Sequence, residues 1–331
     1  MAQQGVVLFV RFPAVTTYAG RMLPSDFVTT PALPTSTWPP LPLQEWKDTC
    51  ETLHMWTQIV GKISLALTPR MNHFWNTAFH LTARGLTTQP LRSGDTTFVI
   101  LFDFTSHRLT IQRADGATQS IPLEPRTVAD FYRLVMETLE RMRIPVRIWT
   151  VPSEVPNPIR FEQDVTHRSY DPAAANRFWR VVVSIAPVFT DFRSRFIGKS
   201  SPVHFFWGSF DLAATRFSGL RAPDRPGADS ITREAYSHEV ISHGWWPGSG
   251  SVTDASFYAY AAPEPAGFKT AAIQPAGVYY DTEFSLFILP YEAVRATRSP
   301  EATLTTFLGS TYDTAADLAS WRRAELERRE S

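Results

Sequence analysis

The stretch GKSSPVHFFWGSFDLAATR, residues 198–216, concentrates the unusual chemistry of this 331-residue chain. Lys199, His204 and Asp211 interrupt a run that is otherwise apolar and rich in phenylalanine. Such a run is typical of a buried strand or a pair of strands. Burial of a lysine, a histidine and an aspartate costs free energy unless each finds a partner, so these groups are either paired or functional. The stretch therefore predicts where a site lies, without identifying its ligand.

The composition indicates a soluble protein with a substantial core. The chain is 44% hydrophobic and 13% aromatic, and its length favours two domains or one duplicated domain. Lys+Arg and Asp+Glu are both 32, so we expect neither nucleic acid nor a membrane as a partner. The single cysteine, Cys50, excludes an intramolecular disulfide and fits a reducing cytoplasm. The apolar patch Val6–Val10 is too short for a signal-peptide core or a membrane span, so we predict a cytoplasmic location.

Changes in composition along the chain predict four segments. Residues 1–42 are rich in proline and threonine and are expected to form a poorly ordered arm. Residues 43–151 form a first α+β half, and residues 173–331 form a second. Between them, residues 152–172 are predicted to be a linker, because four prolines disfavour a helix there.

Hydrophobic periodicity, caps and turn residues predict the elements within each half. In the first half they are a helix over 43–64, strands over 96–104 and 108–113 with an Asp115-Gly116 turn, a helix from the Thr127 cap to about 143, and a strand over 146–151. In the second half they are a helix over 173–196, strands over 235–243, 256–261 and 284–289, and a helix over 300–328. Trp245 and Trp246 are expected to end the first of these strands.

The two halves show signs of an internal repeat. HFWNTAFHLTARGL, from His73, aligns without gaps with HFFWGSFDLAATRF, from His204, and five of the fourteen positions are identical. Both segments follow a long helix and precede further strands and a helix. We predict a duplication, with two helix–antiparallel sheet–helix halves packed about a pseudo-twofold axis. The alternative is that two aromatic-rich strands resemble each other by composition alone.

A polar row on the first helix allows two interpretations. His54, Gln58 and Lys62 are spaced at i, i+4 and i+8, so they lie on one face. This row is either the solvated face of an amphipathic helix or a polar edge that lines a cavity.

Histidines and carboxylates elsewhere in the chain have the composition of a metal site. His204, His238 and Glu239 are the proposed ligands; two imidazoles with a carboxylate suit iron or zinc, and His73 would add a third imidazole. This pattern differs from a zincin motif, which needs two histidines at i and i+4 on one helix. Here the histidine after His238 comes at i+5, in a run that resembles a strand. His204 and Asp211 have an odd separation, which on one straight strand needs a bulge near Gly208 to bring them to one face.

The same side chains also suit acid–base chemistry without a metal. A histidine paired with an aspartate or glutamate is a typical general base, and Lys62 or Lys199 would hold an anionic substrate. Trp75, Trp207 and Tyr236 would form aromatic walls. The chain has no GxSxG, GxGxxG or GxxxxGK[ST] motif, and Cys50 falls on an apolar helical stripe.

Four longer segments carry a resemblance to a known family: TLHMWTQIVGK, LTARGLTT, GKSSPVHFFWGSFDLAATRFSG and TREAYSHEV. Together they resemble a bacterial family of unknown function, domain-of-unknown-function family 5996, over the chain from about Trp38 onward. The resemblance implies no activity, and it leaves out His243. The family pattern falls on His54, Lys62, His73, Lys199, His204, Trp207, Asp211, His238 and Glu239.

These observations predict an α+β protein with a ligand pocket between its halves. The first hypothesis is an enzyme that acts on a small anionic or aromatic molecule, either with a divalent metal (Fe or Zn) as its cofactor or by acid–base chemistry without one. The alternatives are a non-catalytic ligand-binding protein, a purely structural buried polar network and a protein-interaction scaffold. The predicted catalytic residues are His204, Asp211, His238, Glu239 and Lys199, and the predicted substrate-binding residues are His54, Gln58, Lys62, His73, Trp75, Trp207 and Tyr236.

Overall fold

The computed structural model describes residues 37–249 and 252–328. Over these residues the chain is an α+β protein with seven α-helices and two antiparallel sheets, which confirms the predicted class. Most of the predicted arm lies outside the described residues, but Trp38 and Leu41 are buried and the Trp38 ring stacks on Tyr291. Within the described ranges, no helix is both long enough and apolar enough to span a bilayer.

The long helices begin and end where the sequence provides signals. The Thr127 side chain accepts a hydrogen bond from Asp130 N at 3.1 Å, and the Asp171 side chain accepts one from Ala173 N at 2.8 Å, so both caps satisfy exposed backbone donors. Pro172 then occupies a first-turn position, where its missing N–H costs nothing. The helices are α1 Lys47–Leu67, α2 Val128–Arg141, α3 Pro172–Ser194, α4 Ser230–Ala235, α5 Tyr291–Arg295, α6 Pro300–Leu318 and α7 Arg323–Leu326.

Each half of the described chain contributes one six-stranded sheet. The strands of the first sheet are β1 His80–Leu81, β2 Gly85–Thr87, β3 Leu91–Ser93, β4 Thr96–Asp103, β5 Arg108–Arg113 and β6 Thr118–Pro122. Their order is β1-β2-β4-β5-β6, with β3 paired to β4. The strands of the second sheet are β7 His204–Phe206, β8 Asp211–Arg221, β9 His238–Trp246, β10 Ser256–Ala262, β11 Tyr279–Asp281 and β12 Leu286–Pro290, in the order β7-β8-β9-β10-β12-β11.

The two sheets meet at one antiparallel bridge between Phe79 and Phe205. Each residue donates its N–H to the other's carbonyl, at 2.8 and 3.0 Å. Both rings are fully buried, and the Phe205 ring packs edge-on to Phe178 of α3. The junction is therefore held by two backbone hydrogen bonds and by the core beneath it.

Alternation along the strands gives the second sheet two different faces. Phe205, Leu212 and Trp245 point to the apolar face, which α3 and α6 contact. The cross-strand pair Phe206–Asp211 points to the other face. That face also carries the polar residues Thr215, Ser242, Tyr258 and Tyr260. Because this second face is also buried, its polar groups cost free energy unless they form hydrogen bonds.

Two predictions for the first half are wrong: the strands that the Asp115-Gly116 turn joins, and the strand over residues 146–151. The Asp115-Gly116 turn joins β5 to β6, whereas β4 and β5 are joined through residues 104–107. The prediction missed β6, TQSIP, because it is short and mostly polar. Residues 146–151 form no strand; Pro145 and Pro152 flank them and Trp149 is 67% exposed, so the segment lacks both a ladder and a buried face.

The boundaries in the second half also differ from the predicted ones. Asp229 caps the short helix α4, accepting hydrogen bonds from the N–H groups of Ile231 and Thr232, where a strand was predicted to begin. β9 then continues through Trp245 and Trp246 because both residues pair with β10. The last long helix ends ten residues early, at Leu318, and Ser320 adopts a left-handed conformation with φ 56°.

Candidate functional site

The polar row of α1 is buried against other parts of the protein. Gln58 is fully buried and Lys62 is 4% exposed. The His54 Nε2 lies 2.8 Å from the carbonyl oxygen of Gly208 and 3.1 Å from that of Trp207, and donates its proton to them. The interpretation as a solvated face is therefore wrong: the row faces the turn between β7 and β8.

Two residues of the same row, Gln58 and Lys62, also bind the loop around Ser153, near the start of the predicted linker. Gln58 donates to the Ser153 carbonyl at 2.7 Å and accepts from the Ser153 N–H at 2.9 Å. Lys62 Nζ donates to Ser153 Oγ at 3.0 Å. Burial lowers the pKa of Lys62 and lowers the pKa of His54 to about 4, with the His54 hydrogen bonds opposing it. The hydrogen bonds of these side chains therefore hold the Ser153 loop and the turn at Trp207 and Gly208 in place.

Trp207 occupies the space between α1 and the segment that leads to β1. Its ring packs on Gly61, and its Nε1 donates to the Thr77 carbonyl at 3.1 Å. The Lys62 ammonium lies 5.8 Å from the ring centre, within the range of a cation–π contact. The residue is 7% exposed, so it is a packed anchor for the turn.

Asp211 is a buried carboxyl group with two hydroxyl partners. Ser209 Oγ donates to its Oδ1 and Tyr258 OH to its Oδ2, both at 2.5 Å. Burial raises the pKa of Asp211, and these two hydrogen bonds oppose the rise because they favour the charged form. The turn that places Ser209 includes Phe210 in a left-handed conformation, φ 58°.

Glu154 brings a second carboxyl group to the same turn. It stands on an exposed loop in a left-handed conformation, φ 59°, but its carboxylate packs against Gly208, where a Cβ would lie 2.7 Å from Oε1. Partial removal from water raises the pKa of Glu154, and the negative charge of Asp211 raises it further. Two neighbouring carboxyl groups with raised pKa values are typical of acid–base sites, although structural pairs also show them.

A series of tyrosines runs from Asp211 across the polar face of the second sheet. Tyr258 stacks on Tyr260 with ring centres 6.2 Å apart, and Tyr260 OH lies 3.2 Å from Tyr236 OH. Burial raises the pKa of Tyr258 and that of Tyr260 well above the usual value, so both phenols stay protonated and can donate. Tyr236 is the half-buried outer end of this series.

His73 lies beside Tyr236 in a strained segment. His73 and Phe74 are consecutive residues with positive φ, 55° and 53°, in a short 3₁₀ turn. Such strain in bulky residues is found preferentially at functional sites. The His73 Nε2 is buried and has no hydrogen-bond partner among the described residues. Burial lowers the pKa of His73 to about 4, and a hydrogen bond to the Ala235 carbonyl opposes the shift, so the imidazole is neutral at pH 7.

Three aromatic rings surround His73, and a lysine lies close to two of them. The His73 ring centre is 5.3 Å from Phe217, 5.8 Å from Trp75 and 6.4 Å from Tyr236. Lys199 Nζ lies 5.7 Å from the centre of Phe217 and 6.0 Å from that of Trp75. The structure thus brings together four predicted site residues, His73, Trp75, Lys199 and Tyr236.

Tyr236 also lines a cavity of about 460 Å³ that is rich in arginine, which we call the arginine cavity. Arg225 stacks over the Tyr236 ring, 4.4 Å from its centre. In the described part of the chain, none of the three arginines forms an ion pair with a carboxylate. The lining residues are Arg221, Ala222, Pro223, Asp224, Arg225, Pro226, Arg233, Tyr236 and Ser237.

His204 lies at the junction of the sheets. It is 3% exposed, and neither ring nitrogen has a hydrogen-bond partner in the described ranges. Its ring centre is 5.0 Å from that of His80. His204 and Asp211 do share a face, as the metal hypothesis requires, but a reversing turn achieves this: residues 207–210 separate β7 from β8, and no bulge in a single strand is involved.

The predicted metal ligands do not converge. His204 pairs with Ala213, which faces Gly244, whereas His238 begins β9 six residues away. That separation is about 20 Å at the usual rise of a strand. Glu239 follows His238 and points to the opposite face. Within residues 37–249 and 252–328, no three His, Cys, Asp or Glu side chains are grouped to hold a metal, and an iron or zinc cofactor stays a prediction.

Several residues of the site were not predicted from the sequence. Ser209, Glu154 and Tyr258 are separated along the chain and are brought together only by the turn and the sheet. A signal was present for the tyrosines, since Tyr258-Ala-Tyr260 alternates as one face of a strand requires. The loop RAPDRPGADSITR, residues 221–233, also concentrates arginines between prolines and glycine.

Comparison with known proteins gave one match. A family model described as Family of unknown function (DUF5996) matches residues 38–328, which is nearly the whole chain. Neither the curated proteins nor the solved structures gave any match. The site must therefore be interpreted from its own geometry.

Proposed function

The chain belongs to the DUF5996 family of unknown function, and we propose that it is an enzyme that acts on a small anionic molecule bound in the arginine cavity. The observation that carries the proposal is the approach of Arg221, Arg225 and Arg233 to one cavity without carboxylate partners among the described residues. A guanidinium group is suited to carboxylate and phosphate because its planar donors match two oxygens at once. The Tyr236 ring would contact a planar or aromatic part of the ligand.

His73 supplies the acid–base group in this proposal. Its imidazole is neutral, and its Nε2 has no partner in the described structure. His73 does not itself line the cavity, but its ring centre lies 6.4 Å from that of Tyr236, which does. A bound anion would raise the pKa of His73 from about 4 towards neutrality, while the positive charge of Lys199 opposes that rise. Binding of the anion would therefore prepare His73 to accept a proton.

A second candidate, a binding protein without turnover, is favoured by the position of the carboxyl groups. Asp211 is hydrogen-bonded to Ser209 and Tyr258, and neither Asp211 nor Glu154 lines the arginine cavity. The two carboxyl groups with raised pKa values therefore lie outside the lining of the arginine cavity, and Asp224 is the one carboxylate among its lining residues.

The first test is the binding of simple anions by isothermal titration calorimetry, with phenyl phosphate, benzoate and inorganic phosphate as probes. We expect phenyl phosphate to bind most tightly, because it combines a dianion with an aromatic ring. Arg225→Gln should weaken it about tenfold or more, since a charge-assisted hydrogen bond to an anion and a stacking contact are both lost.

Arg160→Gln is the matched control. Arg160 stacks over Trp149 at 5.3 Å and does not line the arginine cavity, so Arg160→Gln removes the same charge and a similar cation–π contact outside it. Equal weakening in both variants would show that general electrostatics, not the cavity, binds the anion. If phenyl phosphate binds but is returned unchanged after long incubation, and a wider panel of phosphate esters and carboxylates is also left intact, the binding-protein alternative replaces the enzyme.

The coupling between His73 and the anion gives a pH-dependent prediction. A group whose pKa rises on binding must, by linkage, make the anion bind more tightly as the pH falls. We expect benzoate, which stays an anion over this range, to bind several-fold more tightly at pH 5 than at pH 7, and the increase to disappear in His73→Gln. Phenyl phosphate does not suit this measurement, because a phosphate monoester takes up a proton at about pH 6. A titration of the His73 ring protons by NMR, with and without ligand, would contradict the coupling if both curves coincide.

We also propose that the protein is cytoplasmic, because its single cysteine, Cys50, fits a reducing compartment.

We further propose that the two sheets arose by duplication. The order of a long helix, an antiparallel sheet and a further helix occurs twice, as α1, β1–β6, α2 and as α3, β7–β12, α6. The bridge between Phe79 and Phe205 supports a twofold relation that equates these two residues. That register differs from the alignment of His73 with His204. Superposition of residues 47–141 on residues 172–318 tests it, and a poor fit of the central strands would reject the duplication.

A further inference from the structure

A second, smaller cavity lies at the other side of β9, and the proposed function does not use it. Its volume is about 190 Å³. It opens where β9 and β10 meet the end of α6, beside the turn that contains Pro263 and Pro265. The lining residues are Glu239, Val240, Ile241, Ala261, Ala262, Pro263, Pro265, Ala319 and Trp321.

Glu239 is the only ionisable side chain among these lining residues. Its Oε2 is buried and accepts no hydrogen bond from any described residue, and the residue forms no ion pair within the described ranges. A carboxylate oxygen withdrawn from water beside apolar walls is costly unless a positive group or a donor compensates it. Among residues 37–249 and 252–328 neither is supplied to Oε2 of this half-buried residue, so the cavity itself is where a compensating group would be placed.

The position of Glu239 separates this cavity from the arginine cavity. Along β9, Glu239 shares a face with Ile241 and His243, and His243 lies against α6, with its Nε2 2.9 Å from Thr311 Oγ1. The tyrosine series lies on the opposite face, because Ser242 and Gly244 face Tyr260 and Tyr258. The two cavities therefore differ in both location and sign of charge.

We propose that Glu239 binds a small organic cation, an alkylammonium group, in this cavity. A hard metal ion takes six or more oxygen ligands, and one carboxylate among alanine, valine, proline and tryptophan side chains does not provide them. An ammonium group with short alkyl substituents instead matches one carboxylate and apolar walls. Trp321, 6% exposed, adds an aromatic surface of the kind that binds ammonium groups through cation–π contact.

The test is calorimetric titration of the full chain with propylammonium chloride and with tetramethylammonium chloride, against sodium chloride at equal ionic strength. We expect saturable binding of one or both ammonium ions and none of sodium. Glu239→Gln should raise the dissociation constant about tenfold or more, because the amide keeps the shape but loses the charge. Glu45→Gln, which removes an exposed carboxylate elsewhere, should leave it unchanged.

A third variant keeps the test decisive if Glu239→Gln is poorly folded. Ala319→Leu adds volume to the cavity wall and leaves every charge in place, so it should also abolish binding, with the fold checked by circular dichroism. Saturable binding lost in Glu239→Gln or Ala319→Leu and kept in Glu45→Gln supports the site. The absence of saturable binding in the wild-type chain, or equal binding in all the variants, would overturn it.

Discussion

A Gly244→Val variant is expected to lose about 3–5 kcal/mol of unfolding free energy, combining the strain of overpacking with the loss of a buried hydrogen bond. A Cβ at Gly244 would lie 2.2 Å from Tyr258 Cζ and 2.3 Å from its hydroxyl oxygen. The central strand cannot yield, so the ring must move, and Asp211 then loses one of its two donors at a position that is 6% exposed. Urea unfolding followed by tryptophan fluorescence measures the loss.

A double-mutant cycle identifies the ring as the cause. In a Tyr258→Ala background the space above Gly244 is empty, so adding Gly244→Val there should cost far less than in the wild-type chain. Gly309→Ala is the matched control, because a Cβ at this position in α6 meets nothing within 4 Å and alanine is the better helix former. An equal loss in both backgrounds would place the effect in the backbone of β9 instead.

The elements that the sequence predicted well are those whose signal is local. α1 and α3 have apolar residues at helical spacing, and the predicted cap at Thr127 acts on an N–H group three residues away. The polar row of α1 was predicted for the same reason, since helical geometry alone puts His54, Gln58 and Lys62 on one face. The choice between solvent and interior depended on the turn at residues 207–210, which is remote in sequence.

The pairings that form the candidate site are not local. Asp211 and Tyr258 are 47 residues apart, and only the register of β8, β9 and β10 brings them together. A shift of one residue in that register would turn every side chain of a strand to the other face. β8 is buried on both faces from Asp211 to Phe217, so alternation along it is a weak guide to the register. The repeat alignment also equates residues in different elements: His73 lies in a 3₁₀ turn, whereas His204 begins β7.

The wild-type protein is expected to lose stability as the pH falls from 6.5 towards 4, and His204→Phe should remove the part of that loss that is due to His204. His54 and His73, whose pKa values burial also lowers to about 4, keep their own parts. Burial, followed by the positive charges of His80 and Arg193, lowers the pKa of His204 from 6.5 to about 4. The folded state thus binds fewer protons than the unfolded state in this range, so the contribution is complete above pH 6.5 and is lost on acidification. For a residue 3% exposed, this corresponds to about 3 kcal/mol. Urea unfolding across this pH range measures it.

The comparison with His80→Asn decides whether burial or charge repulsion is responsible. His80 is the exposed member of the pair at the sheet junction, and its ring lies 5.0 Å from His204. Because burial is the larger cause, His80→Asn should keep most of the contribution of His204 to the pH dependence, whereas His204→Phe removes that contribution. Phenylalanine also replaces two ring nitrogens that lack partners in the described structure, so the variant should be more stable than wild type at pH 7 as well. A His204→Phe protein that is less stable at pH 7 would mean that this imidazole has a partner, and the junction of the sheets would then be a binding site.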